Sequence, residues 1–250
     1  MKIKKEAVII ITIVVLLVVV IASVSQYQKN KERGALAERI ISAGSNTAPD
    51  TVEGLKAAIA ANEKQIGQYV ESAAKTAYYW KILAVRLQDR ELHGEALEAL
   101  ERAVYYAPAD PLLHYYTGVS AGVLAKSVHI YPGRDNENAE RRRYFALAEE
   151  SYLRAIELDS KYLRPRFGLA VLYVFELDRP EDAVPQLERC LEISRNDLDT
   201  MFVLARAFFM LKRYQEAVDL YDRILTLSRD QQQRIDAQNN RQQILGLIHG

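Results

Sequence analysis

Residues 118–122 read Gly-Val-Ser-Ala-Gly, the G-x-S-x-G spacing that in a nucleophile elbow lifts a serine onto a sharp strand-to-helix turn beside an oxyanion hole. The chemistry would be acyl transfer by Ser120, with a histidine as its general base. That chemistry requires a strand running into the turn, and the flanking segment PLLHYYTGVSAGVLAK has helical spacing throughout. The histidines give little support: His93 lies in the turn RELHGEA, His114 opens a helix and His249 is the penultimate residue, so no two share a ligand spacing. Ser120 is therefore read as a packing residue on a helix, with a serine hydrolase kept as the alternative. Cys190 is the one cysteine, which excludes an internal disulfide and a thiolate-rich metal site and suits a buried thiol acting as a small hydrophobe. Asp135, Glu137 and Glu140 do not follow the ligand order of a calcium loop, and there is no P-loop, HExxH or dinucleotide fingerprint. No metal, cofactor or catalytic residue is expected.

The elements that carry these residues are helical. Of 250 residues, 33 are basic and 33 acidic, so no global field favours nucleic acid. After the basic tail of residues 1–6, residues 7–25 form an uncharged apolar run, long enough as a helix to cross a bilayer and longer than an ordinary signal-peptide core. The reading is a retained single-pass anchor, with a cleaved signal peptide as the other possibility. Lys2, Lys4 and Lys5 before the run are matched by Lys29, Lys31 and Arg33 after it, and the free amino terminus tips the repeats towards the extracytoplasmic side. Residues 26–76 make a linker and a helical segment, opened by a capping box of Asp50 and Glu53. In it Val52, Leu55, Ile59, Ile66 and Val70 share a face expected to pack against a neighbour, with a break or bend at Gly67.

An internal period decides the architecture. In residues 80–108, Trp80, Leu83, Ala84 and Leu87 fall on one helix and Ala96, Leu100 and Ala103 on a second, with Pro108 just beyond. The same second-helix pattern returns at Ala148, Tyr152 and Ala155, at Ala183, Leu187 and Cys190, and at Ala217, Tyr221 and Ile224. Ala148 and Ala183 are 35 residues apart, and Ala183 and Ala217 are 34 apart. First helices carry Leu169, Ala170 and Tyr173, then Leu204, Ala205 and Phe208; the turn ELDRPED is one residue longer than the turn KRYQ. Spacing and residue types resemble the tetratricopeptide repeat, W-x2-L-G-x2-Y followed by A-x3-F and P. That resemblance implies an all-α solenoid of antiparallel helix pairs: four units over residues 77–228 and a capping helix over 229–250. Gly118 falls 34 residues after Ala84, which makes it the close-approach residue of the second unit's first helix.

Ala96 and Ala148 are 52 residues apart, 18 more than one period, so the second unit carries an insertion at about residues 127–143. It reads as a solvated loop with an N-terminal extension of the following helix; the alternative is a partner-contacting patch of His129, Tyr131, Arg134 and Arg141 to Arg143.

The family's groove-facing spacing implies that Tyr78, Lys81, Tyr115, Arg164, Phe167, Phe202, Arg206 and Phe209 line the concave side. Aromatics with a few cations suit an extended or helical peptide with apolar anchors and an occasional acid. The other reading of these aromatics is core between adjacent pairs. The family's paired Lys and Asn for a terminal carboxylate are missing, since the Asn positions hold Val85, Val119, Val171 and Arg206. The expected function is a non-catalytic scaffold or adaptor at a membrane, binding a protein or peptide partner, with self-association as a homo-oligomer as a further possibility.

Overall fold

A computed structural model of the chain describes residue 49, residues 51–128 and residues 138–249. The apolar run at 7–25 and the core of the insertion, including His129, Tyr131 and Arg134, lie outside the described residues. Among the described residues no helix is long and apolar enough to cross a membrane.

All regular structure among the described residues is helical: α1 (Val52–Gln88), α2 (His93–Tyr106), α3 (Pro111–Ser127), α4 (Ala139–Leu158), α5 (Leu163–Phe175), α6 (Pro180–Ile193), α7 (Leu198–Met210), α8 (Tyr214–Leu227) and α9 (Gln231–His249). Two units divide the chain, Met1–Ile66 and Gly67–Gly250.

In the first unit, residues 52–66 are the beginning of α1. Asp50 lies outside the described residues, and the observed cap is Thr51, whose Oγ1 accepts the Gly54 N–H at 3.0 Å. The helix runs on through Gly67, so the expected break does not occur. Nor is the apolar face packed: Val52, Leu55, Ile59, Ile66 and Val70 are all exposed.

In the second unit the helices pair in chain order, α3 with α4, α5 with α6 and α7 with α8, and α9 packs on α8. First helices also meet one another, α3 with α5 and α5 with α7. The small residues that the period marks are where backbones come closest. Ala84, Ala96, Ala148, Ala170, Ala183, Ala205 and Ala217 have no exposed surface at all, because only a methyl group fits where two helix axes approach. Leu169, Tyr173, Leu204 and Phe208 fill the space between successive pairs and are buried. Their counterpart Leu83 is 44% exposed. Among the described residues no earlier pair stands against that side of α1, so the residue that is core in later units is surface in the first. Trp80 does join its pair, packing partly buried against Ala84, Leu100 and Ala103.

The turns within three of the pairs rest on one backbone device. Glu91, Asp178 and Lys212 take left-handed conformations with φ of 61°, 52° and 59°, ending the first helix as a left-handed cap does. The residue that follows donates its N–H back into that helix: Leu92 to the Leu87 carbonyl, Arg179 to that of Tyr173 and Arg213 to that of Phe208. The Tyr173–Arg179 turn holds one residue more than Phe208–Arg213, as the spacing predicts. Both arginines fold over the aromatic whose carbonyl takes their N–H, Arg179 4.5 Å from the Tyr173 ring centre and Arg213 4.1 Å from that of Phe208. Arg179 also pairs with Glu149 at 2.9 Å and Asp182 at 2.7 Å, and Arg213 with Glu216 at 2.7 Å.

The second pair is longer. Its helices have 17 and 20 residues, against 13 and 14 in each of the next two pairs. The insertion therefore extends both helices of the hairpin. Arg141, offered by the sequence as a partner contact, is bound within the fold: it pairs with Glu176 at 3.3 Å and lies over the Phe145 ring at 4.7 Å.

Candidate peptide-binding groove

Because α3, α5 and α7 lie side by side, residues on their common face form a line of clefts. Asp110 starts α3 by accepting the Leu112 N–H at 2.9 Å, ahead of Pro111 at the first helical position. Asp197 does the same for α7, where its carboxylate takes the Thr200 hydroxyl at 2.8 Å. With the helix starts set in this way, aromatics from three repeats face one channel.

The first cleft, of about 260 Å³, is lined by Tyr115 and Val119 of α3, Tyr152 of α4, Arg164, Phe167 and Gly168 of α5, Cys190 of α6, Asp197 and Asp199. At its floor the Tyr152 ring fits against two glycines; a Cβ would stand 2.6 Å from it at Gly118 and 2.9 Å at Gly168. Tyr115 packs beside this ring at 6.3 Å and against Tyr162 at 5.4 Å. Burial pushes the Tyr152 phenol well above its ordinary range and the Tyr162 phenol up to about 12, while at Tyr115 the upward push of burial is opposed by the Arg164 charge. The Cys190 thiol is pushed up to about 11 by burial, so it is uncharged and weakly nucleophilic at neutral pH.

A second cleft, of about 210 Å³, lies between α7 and the cap, where Phe202, Arg206 and Phe209 face Phe175, Tyr221 and Ile244. Phe202 meets the Tyr221 ring at 6.1 Å, and the Arg206 guanidinium lies 5.3 Å from the Phe209 ring centre. A third, broader recess joins the two, sharing Phe167 and Asp199 with one and Phe202, Val203 and Asn240 with the other.

Six of the eight residues expected from the sequence therefore line adjoining clefts: Tyr115, Arg164 and Phe167 in one, Phe202, Arg206 and Phe209 in the next. Both readings of the aromatics apply to the same side chains. Tyr115, Phe167, Phe202 and Phe209 are partly buried against the core, and each also presents surface to a cleft. Arg164 and Arg206 are exposed. Tyr78 and Lys81 do not line these clefts. Tyr78 is 55% exposed, and Lys81 is held by Asp110 at 2.9 Å.

Sequence reasoning missed the opposite wall. Asp236, Asn239, Asn240 and Gln243 of α9 line the second and third clefts. Their spacing of i, i+3, i+4 and i+7 puts all four on one helix face, a signal present in DAQNNRQQ but absorbed by the expectation of a plain polar cap. Ala237 and Ile244, beside that face, are buried against the last repeat.

Ser120 is in the middle of α3 with no exposed surface. Its Oγ accepts a hydrogen bond from Gln88 Nε2 at 2.7 Å, and the same nitrogen donates to the Tyr116 carbonyl at 2.9 Å. His93 Nδ1 is 3.4 Å from that Oγ. These contacts tie α1 and α2 to α3, and no strand enters the segment, so the elbow geometry is missing.

Residues 174–238 match the family model of the tetratricopeptide repeat. The solenoid is of tetratricopeptide type. A TPR repeat-containing protein of Borreliella burgdorferi is 22% identical over 201 residues, covering 80% of this chain and 84% of that one. Among solved structures, YrrB, described as a TPR protein with an unusual peptide-binding site, superposes with a TM-score of 0.56 at 16% identity over 72% of this chain and 82% of its own. MamA of Desulfovibrio magneticus RS-1, from residue 41 of that protein to its end, gives 0.53 at 13% identity over 69% and 94%. At these identities the structural likeness concerns the fold.

Proposed function

We propose that this chain is a non-catalytic adaptor, tethered to a membrane through residues 7–25, that binds an extended peptide segment of a protein partner along α3, α5 and α7. The observation that carries this reading is the junction of Phe167 and Phe202 in one recess, flanked by the exposed cations Arg164 and Arg206 and walled by the amides of α9. Two half-buried rings offer apolar anchorage at small entropic cost, the guanidinium groups take carboxylates, and Asn239, Asn240 and Gln243 can donate to and accept from a peptide main chain. The peptide-binding site described for YrrB supports the same use of this fold.

The test is selection of a random peptide library on the full-length chain in detergent, compared with Phe202→Ala and Arg206→Glu variants. Peptides pairing apolar anchors with acidic residues should be enriched by the wild type, and binding should fall at least tenfold in either variant. Equal retention by all three proteins would refute the groove. For tethering, alkaline carbonate should leave the full chain in the membrane and release a 26–250 fragment, and protease added outside sealed cells should reach the repeats. The hydrolase alternative is checked with a fluorophosphonate, which should label neither the wild type nor Ser120→Ala.

A further inference from the structure

The start of α1 supplies an observation that the groove does not use. Val52, Leu55, Ile59 and Ile66 are 62, 42, 55 and 60% exposed on one face of a helix, where the free energy of a packed apolar stripe is not collected. Residues 52, 55, 59, 62 and 66 step by three and four in alternation, the 3.5-residue repeat of a left-handed two-helix seam; Asn62 is its one polar member. A helix packing on a globular core is served by a broader 3.6-residue face, whereas a strict two-in-seven stripe is matched by another of its own kind.

Charge then selects both the partner and its direction. The positions beside the seam, one residue after Leu55 and one after Asn62, hold Lys56 and Glu63, both exposed. When two copies of this segment run antiparallel, with Leu55 opposite Ile66 and Ile59 opposite Asn62, Lys56 of each copy falls beside Glu63 of the other. One register thus closes four layers and two equivalent ion pairs about a two-fold axis, the isologous contact of a symmetric dimer. A parallel pair would place Glu63 beside Ala58 and Lys56 beside Thr51, leaving both charges without an opposite.

We propose that residues 52–66 are a homodimerisation element, in which two copies of this chain pair antiparallel through Leu55, Ile59, Asn62 and Ile66, with Lys56 and Glu63 fixing the register. Pairing would set two peptide-binding domains on one assembly, so a divalent partner would be held by avidity.

The experiment uses the full-length chain in a mild detergent and sedimentation across the micromolar range. The wild type should dimerise and Ile59→Asp should be monomeric with unchanged helicity by circular dichroism. Lys56→Glu and Glu63→Lys should each weaken the dimer severalfold, and the double reversal Lys56→Glu with Glu63→Lys should restore it. Orientation is read by mild oxidation: an Ile59→Cys chain mixed with an Asn62→Cys chain should crosslink to each other in preference to themselves. A wild type that stays monomeric, a dimer indifferent to Ile59→Asp, failure of the double reversal to restore pairing, or preferential Ile59→Cys self-crosslinking would each overturn the proposal. Failure of the peptide selection described above would leave it standing, because the two surfaces share no residue.

Discussion

The ring of Tyr152 lies directly on the backbone of Gly118, so close that a Cβ there would stand 2.6 Å from its Cε1. Gly118 is thus glycine because a side chain from the pair's second helix occupies the space a methyl group would need. Gly168 bounds the same ring from the next repeat, which limits its retreat. Gly118→Ala should destabilise the chain by about 1–3 kcal/mol through overpacking. In denaturant melts the cost should shrink when Tyr152→Leu is present; strict additivity would mean that the ring is not what excludes the methyl group.

Left-handed backbone at Glu91, Asp178 and Lys212 costs a residue with a side chain roughly 1 kcal/mol relative to glycine. Lys212 is the cleanest site, as no hydrogen bond of its side chain enters the turn network described above. Lys212→Gly should raise stability by about 0.5–1 kcal/mol after the added freedom of the unfolded chain is discounted. An unchanged or lower denaturation midpoint would show that the turn tolerates lysine without strain.

Trp80 and Leu100 belong to the same small core, but Leu100 has no exposed surface and Trp80 is only partly covered. Full burial would put Trp80→Ala at about 3–5 kcal/mol. The open side of α1 reduces the expected loss to roughly 2–3 kcal/mol, at or below that of Leu100→Ala. A loss under about 1 kcal/mol would mean that Trp80 does not anchor its repeat.

Tyrosine burial predicts a threshold in alkali. The Tyr173 phenol is pushed up to about 12, chiefly by burial and also by the hydrogen bond it donates to Glu149 at 2.9 Å; Tyr162 reaches about 12 and Tyr152 shifts the same way. These groups hold their protons more tightly folded than unfolded. Their contribution is complete below the ordinary tyrosine value of 10.0 and is lost as pH rises through the folded values near 12. Thermal melts should be level on this account up to about pH 10 and fall steeply above it, with tyrosinate absorbance rising together with loss of helix. Gradual tyrosinate formation well before unfolding would contradict the assigned burial.

Much of the solenoid was legible in the chain, for a physical reason. A helix pair cannot hide its own apolar face, so each unit must repeat the same small residues at the same close approaches, and Ala84, Ala96, Ala170, Ala183, Ala205 and Ala217 advertise that need directly. Helix period likewise places Ser120 within a helix, where its hydroxyl accepts a hydrogen bond from Gln88. Spacing even showed the extra residue in the Tyr173–Arg179 turn.

Only the tertiary structure decided what a given side chain meets, since that depends on neighbours far along the chain. Leu83 obeys the same pattern as Leu204 yet is surface, because the pattern specifies a face and a neighbour must be present to bury it. Lys81, expected in the groove, is instead held by Asp110 outside the clefts. The polar face of α9 becomes a wall of the clefts through docking on α8, and the stripe from Val52 to Ile66 is exposed. Sequence period sets which faces are apolar; the order in which helices stack sets which of them stay in water.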